Sequence, residues 1–114
     1  MATSFQRAVW QALRLIPEGR VTSYGEIAAY LGTAAIRAVG TAVGQNPDAP
    51  EVPCHRVVRA DGTIGQYSGG EGVATKIALL AAEGVVTRRG RIVGFEACFW
   101  RFPASDDTLE GRGV

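Results

Sequence analysis

A chain of 114 residues can build one hydrophobic core of ordinary size and not two. With 46% hydrophobic and 20% charged residues it reads as globular rather than disordered, and no apolar run approaches the roughly 18 residues needed to span a bilayer. A net charge of +1 neither excludes nor demands a nucleic-acid partner. The basic residues are nonetheless lopsided, because Lys76 is the one lysine among twelve and the rest are arginines. The planar fork of arginine suits phosphates and base edges, although a GC-rich coding sequence enriches it as well. Met1 to Gln6 shows no basic stretch followed by an apolar block, so a secretory leader is not expected, and the expected location is cytoplasmic or nucleoid-associated.

In chain order, Thr3 to Ile16 reads as an amphipathic helix: Phe5, Val9, Leu13 and Ile16 recur at helical spacing, and Thr3 with Gln6 can form a capping box. Pro17-Glu18-Gly19 stops it. Ser23 and Glu26 suggest a second capping box, opening a helix through Ile27, Ala28 and Leu31 that ends at Gly32. A third helix follows from about Ala34 to Val43. The pair fits either a helix-turn-helix or an ordinary helical hairpin. Its second member is made of small residues with one arginine, Arg37, so it offers little with which to read major-groove base edges. A slim face of this kind can approach a backbone or a narrow groove closely, or pack tightly in a core.

Gln45 to Gly70 is loop-rich, and a loop this long in a small domain points to function. Val57-Val58 and Thr63-Ile64 are candidates for a short hairpin around Asp61-Gly62. Val73 to Glu83 reads as a further helix closed by Gly84. Val85 to Phe102 alternates around Arg89-Gly90 and reads as a β-hairpin of Val85–Thr87 with Arg91–Phe95 or beyond, which would place Cys98 on a half-buried strand. Residues 1–103 are read as one domain and 104–114 as a flexible tail.

The two cysteines differ in setting. Cys54 adjoins His55, the single histidine of the chain, which suggests a nucleophile and its base. A free thiol is mostly protonated at neutral pH, so a base or a positive environment must raise its thiolate fraction. Neighbours in an extended segment point to opposite sides, so His55 would act through a water or a local bend. Without a Cys-x-x-Cys pair, a structural metal is not expected.

Tyr24, Arg37-Ala38-Val39-Gly40, Asn46-Pro47, Val52-Pro53-Cys54-His55-Arg56-Val57-Val58, Gly62, Gly65, Tyr67-Ser68-Gly69-Gly70 and Glu83-Gly84 together resemble the C-terminal domain of the O6-alkylguanine-DNA alkyltransferases. The resemblance implies a mainly α fold with short β elements, a winged helix-turn-helix-like DNA-binding and alkyltransferase domain carrying a C-terminal β-hairpin. It implies Cys54 as alkyl acceptor, His55 as the base acting through a water, Glu83 orienting His55, and Asn46 holding the active-site loop. Arg37 would enter the duplex in place of a flipped nucleotide, with Ala35, Ala38 and Gly40 against the minor groove. Tyr24 would meet the 3′ phosphate and protonate the leaving guanine. The base pocket would comprise Val43, Val57, Tyr67 and Ser68, with the Val57 and Cys54 carbonyls facing the exocyclic amine. No cofactor or metal is implied; the partner is double-stranded DNA containing O6-alkylguanine, met by a monomer, with no membrane role.

The tail of the chain, from Glu83-Gly84-Val85 to Trp100, is also similar to the alkyltransferase-like proteins, which bind O6-alkylguanine without an acceptor cysteine and flag it for nucleotide excision repair. Two functions therefore stand side by side: single-turnover transfer to Cys54, or a lesion sensor with excision-repair partners. An intact Cys54, His55, Asn46 and Glu83 favours transfer.

Overall fold

The computed structural model describes residues 1–103, so the tail expected over 104–114 lies outside the described residues. Helix α1 spans Ser4–Leu13. Its first turn carries the full capping box, the Thr3 hydroxyl accepting from the Gln6 amide at 3.0 Å and the Gln6 side chain from the Thr3 amide at 2.8 Å. Strand β1, Thr22–Ser23, leads straight into α2, Tyr24–Leu31, and α3 covers Ile36–Gly44. At the second cap only half of the expected box forms. Ser23 accepts from the Glu26 amide, while the Glu26 carboxylate turns to Arg101 at 3.3 Å. Gly32 ends α2 with φ 74°, a left-handed cap that a side chain would strain. The axes of α2 and α3 then meet at 109°, which makes the pair a helix-turn-helix rather than a flat hairpin.

A single 3₁₀ turn, Cys54–Arg56, precedes strand β2, Val57–Val58. Here the expected hairpin with Thr63-Ile64 does not form. Strand β2 instead lies parallel to β1, with Thr22 beside Val57 and Ser23 beside Val58. The Asp61-Gly62 turn does close, through Arg59 N–H to the Thr63 carbonyl at 3.0 Å, but Thr63 pairs onward with Arg91. Local turn signals located the reversal; the strand partners were non-local.

Helix α4, Val73–Ala82, is followed by a hairpin of β3, Thr87–Arg88, and β4, Arg91–Ile92. Its tip, Arg89 at φ 53° and Gly90 at φ 76°, takes positive φ at both central residues as a tight two-residue loop requires. The hairpin stops sooner than its alternation suggested. Gly94, at φ 66°, turns the chain into a one-turn helix α5, Phe95–Cys98, so Phe95 and Cys98 are helical and not on a strand. Tertiary contact explains the departure: the Phe95 ring packs against Gly62, where an added Cβ would lie 3.1 Å from the ring.

Strand β2 separates two cores because successive side chains leave opposite faces. Val57 joins Val9, Leu13, Ile16, Ile27, Val39, Val43 and Val52 among α1, α2 and α3. Val58 joins Val21, Ile64, Leu80, Val85 and Ile92 between α4 and the hairpin. Trp10 ties α1 to α3 by donating to the Ala42 carbonyl at 2.8 Å, and Trp100 packs on the first core. The turn bearing Cys54 is thus held at the seam of the two halves.

Candidate active site

Pro53 introduces the 3₁₀ turn, and its three residues per turn fan three side chains in three directions. Cys54 faces an open cleft of about 930 Å³ and is 7% exposed, while His55 and Arg56 turn behind it toward Glu83 at the end of α4. This turn is the local bend that an extended segment would have lacked. Asn46 ties the approach: its amide donates to the Val52 carbonyl at 2.7 Å, and that carbonyl also accepts from the Cys54 amide at 2.8 Å.

Glu83 is the hub behind the cysteine. Its carboxylate lies 2.7 Å from His55 Nε2, accepts from Arg56 at 2.8 to 3.1 Å, and accepts from the Gly19 amide at 3.0 Å. Burial pushes the Glu83 carboxyl up, but the hydrogen bonds from Arg56, His55 and Gly19 outweigh it and hold the group below its usual range. An ionised Glu83 accepts from Nε2–H, which leaves the lone pair of the imidazole on Nδ1. That Nδ1 is buried and has no protein partner among the described residues. Arg56 is a brace, its second contact being the Ile16 carbonyl at 2.7 Å.

The cleft walls come from four elements. The first turn of α2 supplies Tyr24. Helix α3 supplies Arg37, Gly40, Thr41, Val43 and Gly44, while Gln66, Tyr67 and Ser68 come from the loop before α4 and Arg59 from the turn after β2. The Tyr24 ring lies against α3 at Gly40, 3.8 Å from where a Cβ would stand. Gly65, at φ 75°, lies under the Tyr24 hydroxyl and Lys76 Nζ, and its left-handed backbone calls for glycine. Burial raises the Tyr24 hydroxyl, with Arg59 opposing and Cys54 reinforcing. Burial and then the adjacent Cys54 push Tyr67 up to about 12. Both phenols are therefore protonated at neutral pH.

The structure brings Tyr24, Arg37, Gly40, Val43, Cys54, Tyr67 and Ser68 to the cleft, with His55, Asn46 and Glu83 behind Cys54. Ala35, which caps α3, and Ala38, in its first turn, lie exposed outside the cleft wall. Val57 is fully buried in the first core and does not line the cleft, so the structure does not bring it to the base pocket expected of it. The Ser68 hydroxyl is committed to the Gly44 carbonyl at 2.7 Å, bridging loop and helix.

Sequence reading missed Arg59, Gln66 and Lys76. Nothing local marked the first two, but Lys76 was flagged as the lone lysine. It is fully buried, and its ammonium donates to the Ile64 and Gln66 carbonyls at 2.6 and 3.1 Å, pinning the loop that carries Tyr67. Burial lowers its pKa to about 8, with Cys54 acting against the shift and Arg59 with it. An unfolded lysine titrates near 10.4, so above about pH 8 the unfolded chain holds more protons and this group adds stability as pH rises. We expect the native chain to gain up to about 1.4 kcal/mol per pH unit between pH 8 and 9.5 relative to Lys76→Met, read from urea midpoints. Parallel pH profiles would show that Lys76 is charged throughout.

The fold and site together define a helix-turn-helix domain whose second helix presents small residues and one arginine, unpaired among the described residues, beside a cleft floored by a cysteine. The model of the 6-O-methylguanine DNA methyltransferase, DNA binding domain, matches residues 4–85, and the chain belongs to this family. The methylated-DNA–protein-cysteine methyltransferase of Salmonella typhimurium is 55% identical over 83 residues, covering 72% of this chain and 47% of that protein. The crystal structure of Mycobacterium tuberculosis OGT in complex with DNA superposes with a TM-score of 0.70 at 50% identity, over 74% of this chain and 51% of that one. S. pombe Atl1 in complex with damaged DNA containing O6-carboxymethylguanine gives a TM-score of 0.73 at 33% identity, over 89% of this chain and 99% of that one. The chain spans about half the length of the curated methyltransferases it matches.

Proposed function

We propose that this chain repairs DNA by taking the alkyl group of O6-alkylguanine onto Cys54, once per molecule. The observation that carries the reading is the position of Cys54, at the floor of a cleft roomy enough for a nucleotide, with the Arg37 helix on its wall and the His55–Glu83 pair behind it. The exposed small-residue face of α3 lies in the minor groove, and the damaged nucleotide is extruded at a cost of a few kcal/mol, least where pairing is already poor. Arg37 fills the place it leaves.

In the transfer step the thiol proton passes through a water to His55 Nδ1, the base set by the Glu83 hydrogen bond to Nε2. Sγ attacks the alkyl carbon in line, the S–C bond forms as the C–O6 bond breaks, and the bond pair leaves on the guanine. The Tyr24 hydroxyl supplies the proton that the departing guanine takes up, and the phenolate regains one from solvent as the His55 imidazolium releases its own. The product thioether has no leaving group for water or His55 to displace, so Cys54 is consumed.

Incubation with a duplex containing O6-methylguanine is expected to add one methyl group to the peptide containing Cys54 and to return guanine in the DNA, as read by mass spectrometry. Tight binding with an unmodified peptide would overturn transfer in favour of a chain that only holds the lesion.

A further inference from the structure

The parallel register of β1 and β2 sets Ser23 beside Val58, so the next residues along, Tyr24 and Arg59, emerge side by side at the mouth of the cleft. The Arg59 backbone is fixed on both sides, its amide donating to Thr63 at 3.0 Å and its carbonyl accepting from Gly62 at 2.9 Å. Its side chain is exposed and, among the described residues, makes no hydrogen bond or ion pair. The acid of the same turn, Asp61, is already engaged by the amide and hydroxyl of Thr63 at 3.0 and 2.7 Å. Among the described residues no carboxylate lines the cleft, whose charged residues are Arg37 and Arg59. A guanidinium held on a rigid turn with no acid to meet it is a site for an anion, and the anion that a nucleotide brings to the mouth of a cleft is its own phosphate.

We infer that Arg59 grips a backbone phosphate of the nucleotide that enters the cleft, making it a residue that favours the extruded state rather than duplex binding in general. The inference rests on the reading of the cleft as the seat of a flipped nucleotide. The two arginines divide the work by position. Arg37, on α3, occupies the gap in the duplex, whereas Arg59, across the cleft beside Tyr24, neutralises the charge drawn out with the sugar. Its contact exists only after extrusion, so it adds to lesion affinity and little to affinity for intact DNA.

The test measures binding by the Cys54→Ala chain, in which no transfer intervenes, with and without Arg59→Gln. The Arg59→Gln change should weaken binding to an O6-methylguanine duplex by about tenfold, weaken binding to the undamaged duplex by less than about twofold, and lower the salt slope on lesion DNA by about 1. Arg59→Lys should restore the slope. A lesion duplex with uncharged methylphosphonates flanking the damaged nucleotide should bind the two chains equally. Equal losses on damaged and undamaged DNA, or an Arg59 effect that survives the methylphosphonates, would overturn the inference. Methyl transfer by the native chain is scored separately, so a failure of the phosphate contact is distinguished from a failure of the repair reading.

Discussion

Glu83→Ala is expected to lower stability by about 3–5 kcal/mol and to abolish methyl transfer, because it strands two groups that are buried against one carboxylate. Arg56 and His55 both end on Glu83, with His55 only 3% exposed, and the Gly19 amide loses its acceptor too. Urea unfolding of the two proteins checks the first effect. Since the Glu83 carboxyl is held below its ordinary range, the stability it confers is present above that range and is lost as acid titrates the folded group, so the gap between native and variant should close on acidification. Glu83→Gln separates positioning from packing. The amide fills the same space but no longer requires Nε2–H of His55, so transfer should fall about 100-fold or more, with a changed pH profile, while stability falls much less. A variant that loses stability and activity in proportion, with the native pH profile, would make Glu83 structural only.

Arg37→Ala is expected to do the reverse. Arg37 is exposed on α3 and, among the described residues, its side chain makes no hydrogen bond or ion pair, so the melting transition should move by no more than about 0.5 kcal/mol. Single-turnover transfer from a fully paired duplex should fall by about 100-fold, since the few kcal/mol of unstacking and unpairing are no longer offset by the side chain that replaces the base. The loss should shrink on a lesion in single-stranded DNA, where little extrusion cost remains. An equal loss on both substrates would move Arg37 from opening the duplex to holding the backbone.

The departures from sequence reading share one cause. Thr3, Gly32 and Gly84 act within a few residues of their own position, and the helices they bound stand where periodicity put them, to within two or three residues. Val57-Val58 and Phe95 to Cys98 were misassigned in pairing or in type because what decides them is remote. Strand β2 is claimed by β1, more than thirty residues earlier in the chain, and α5 forms where Phe95 meets Gly62. The roles of Arg59 and Lys76 were not legible for the same reason: neither sits in a motif, Arg59 matters through its place on the cleft wall, and Lys76 through the loop carbonyls it holds from beneath.

Sequence alone determined the family, the candidate nucleophile and the slender helix with its arginine, because those depend on residue identity at short, preserved spacings. Tertiary structure decided that Cys54 opens to the cleft while its two neighbours turn back onto Glu83, and which unpaired charge stands at the mouth. Those properties belong to distances between segments remote in the chain, set by how two cores pack on either side of one short strand.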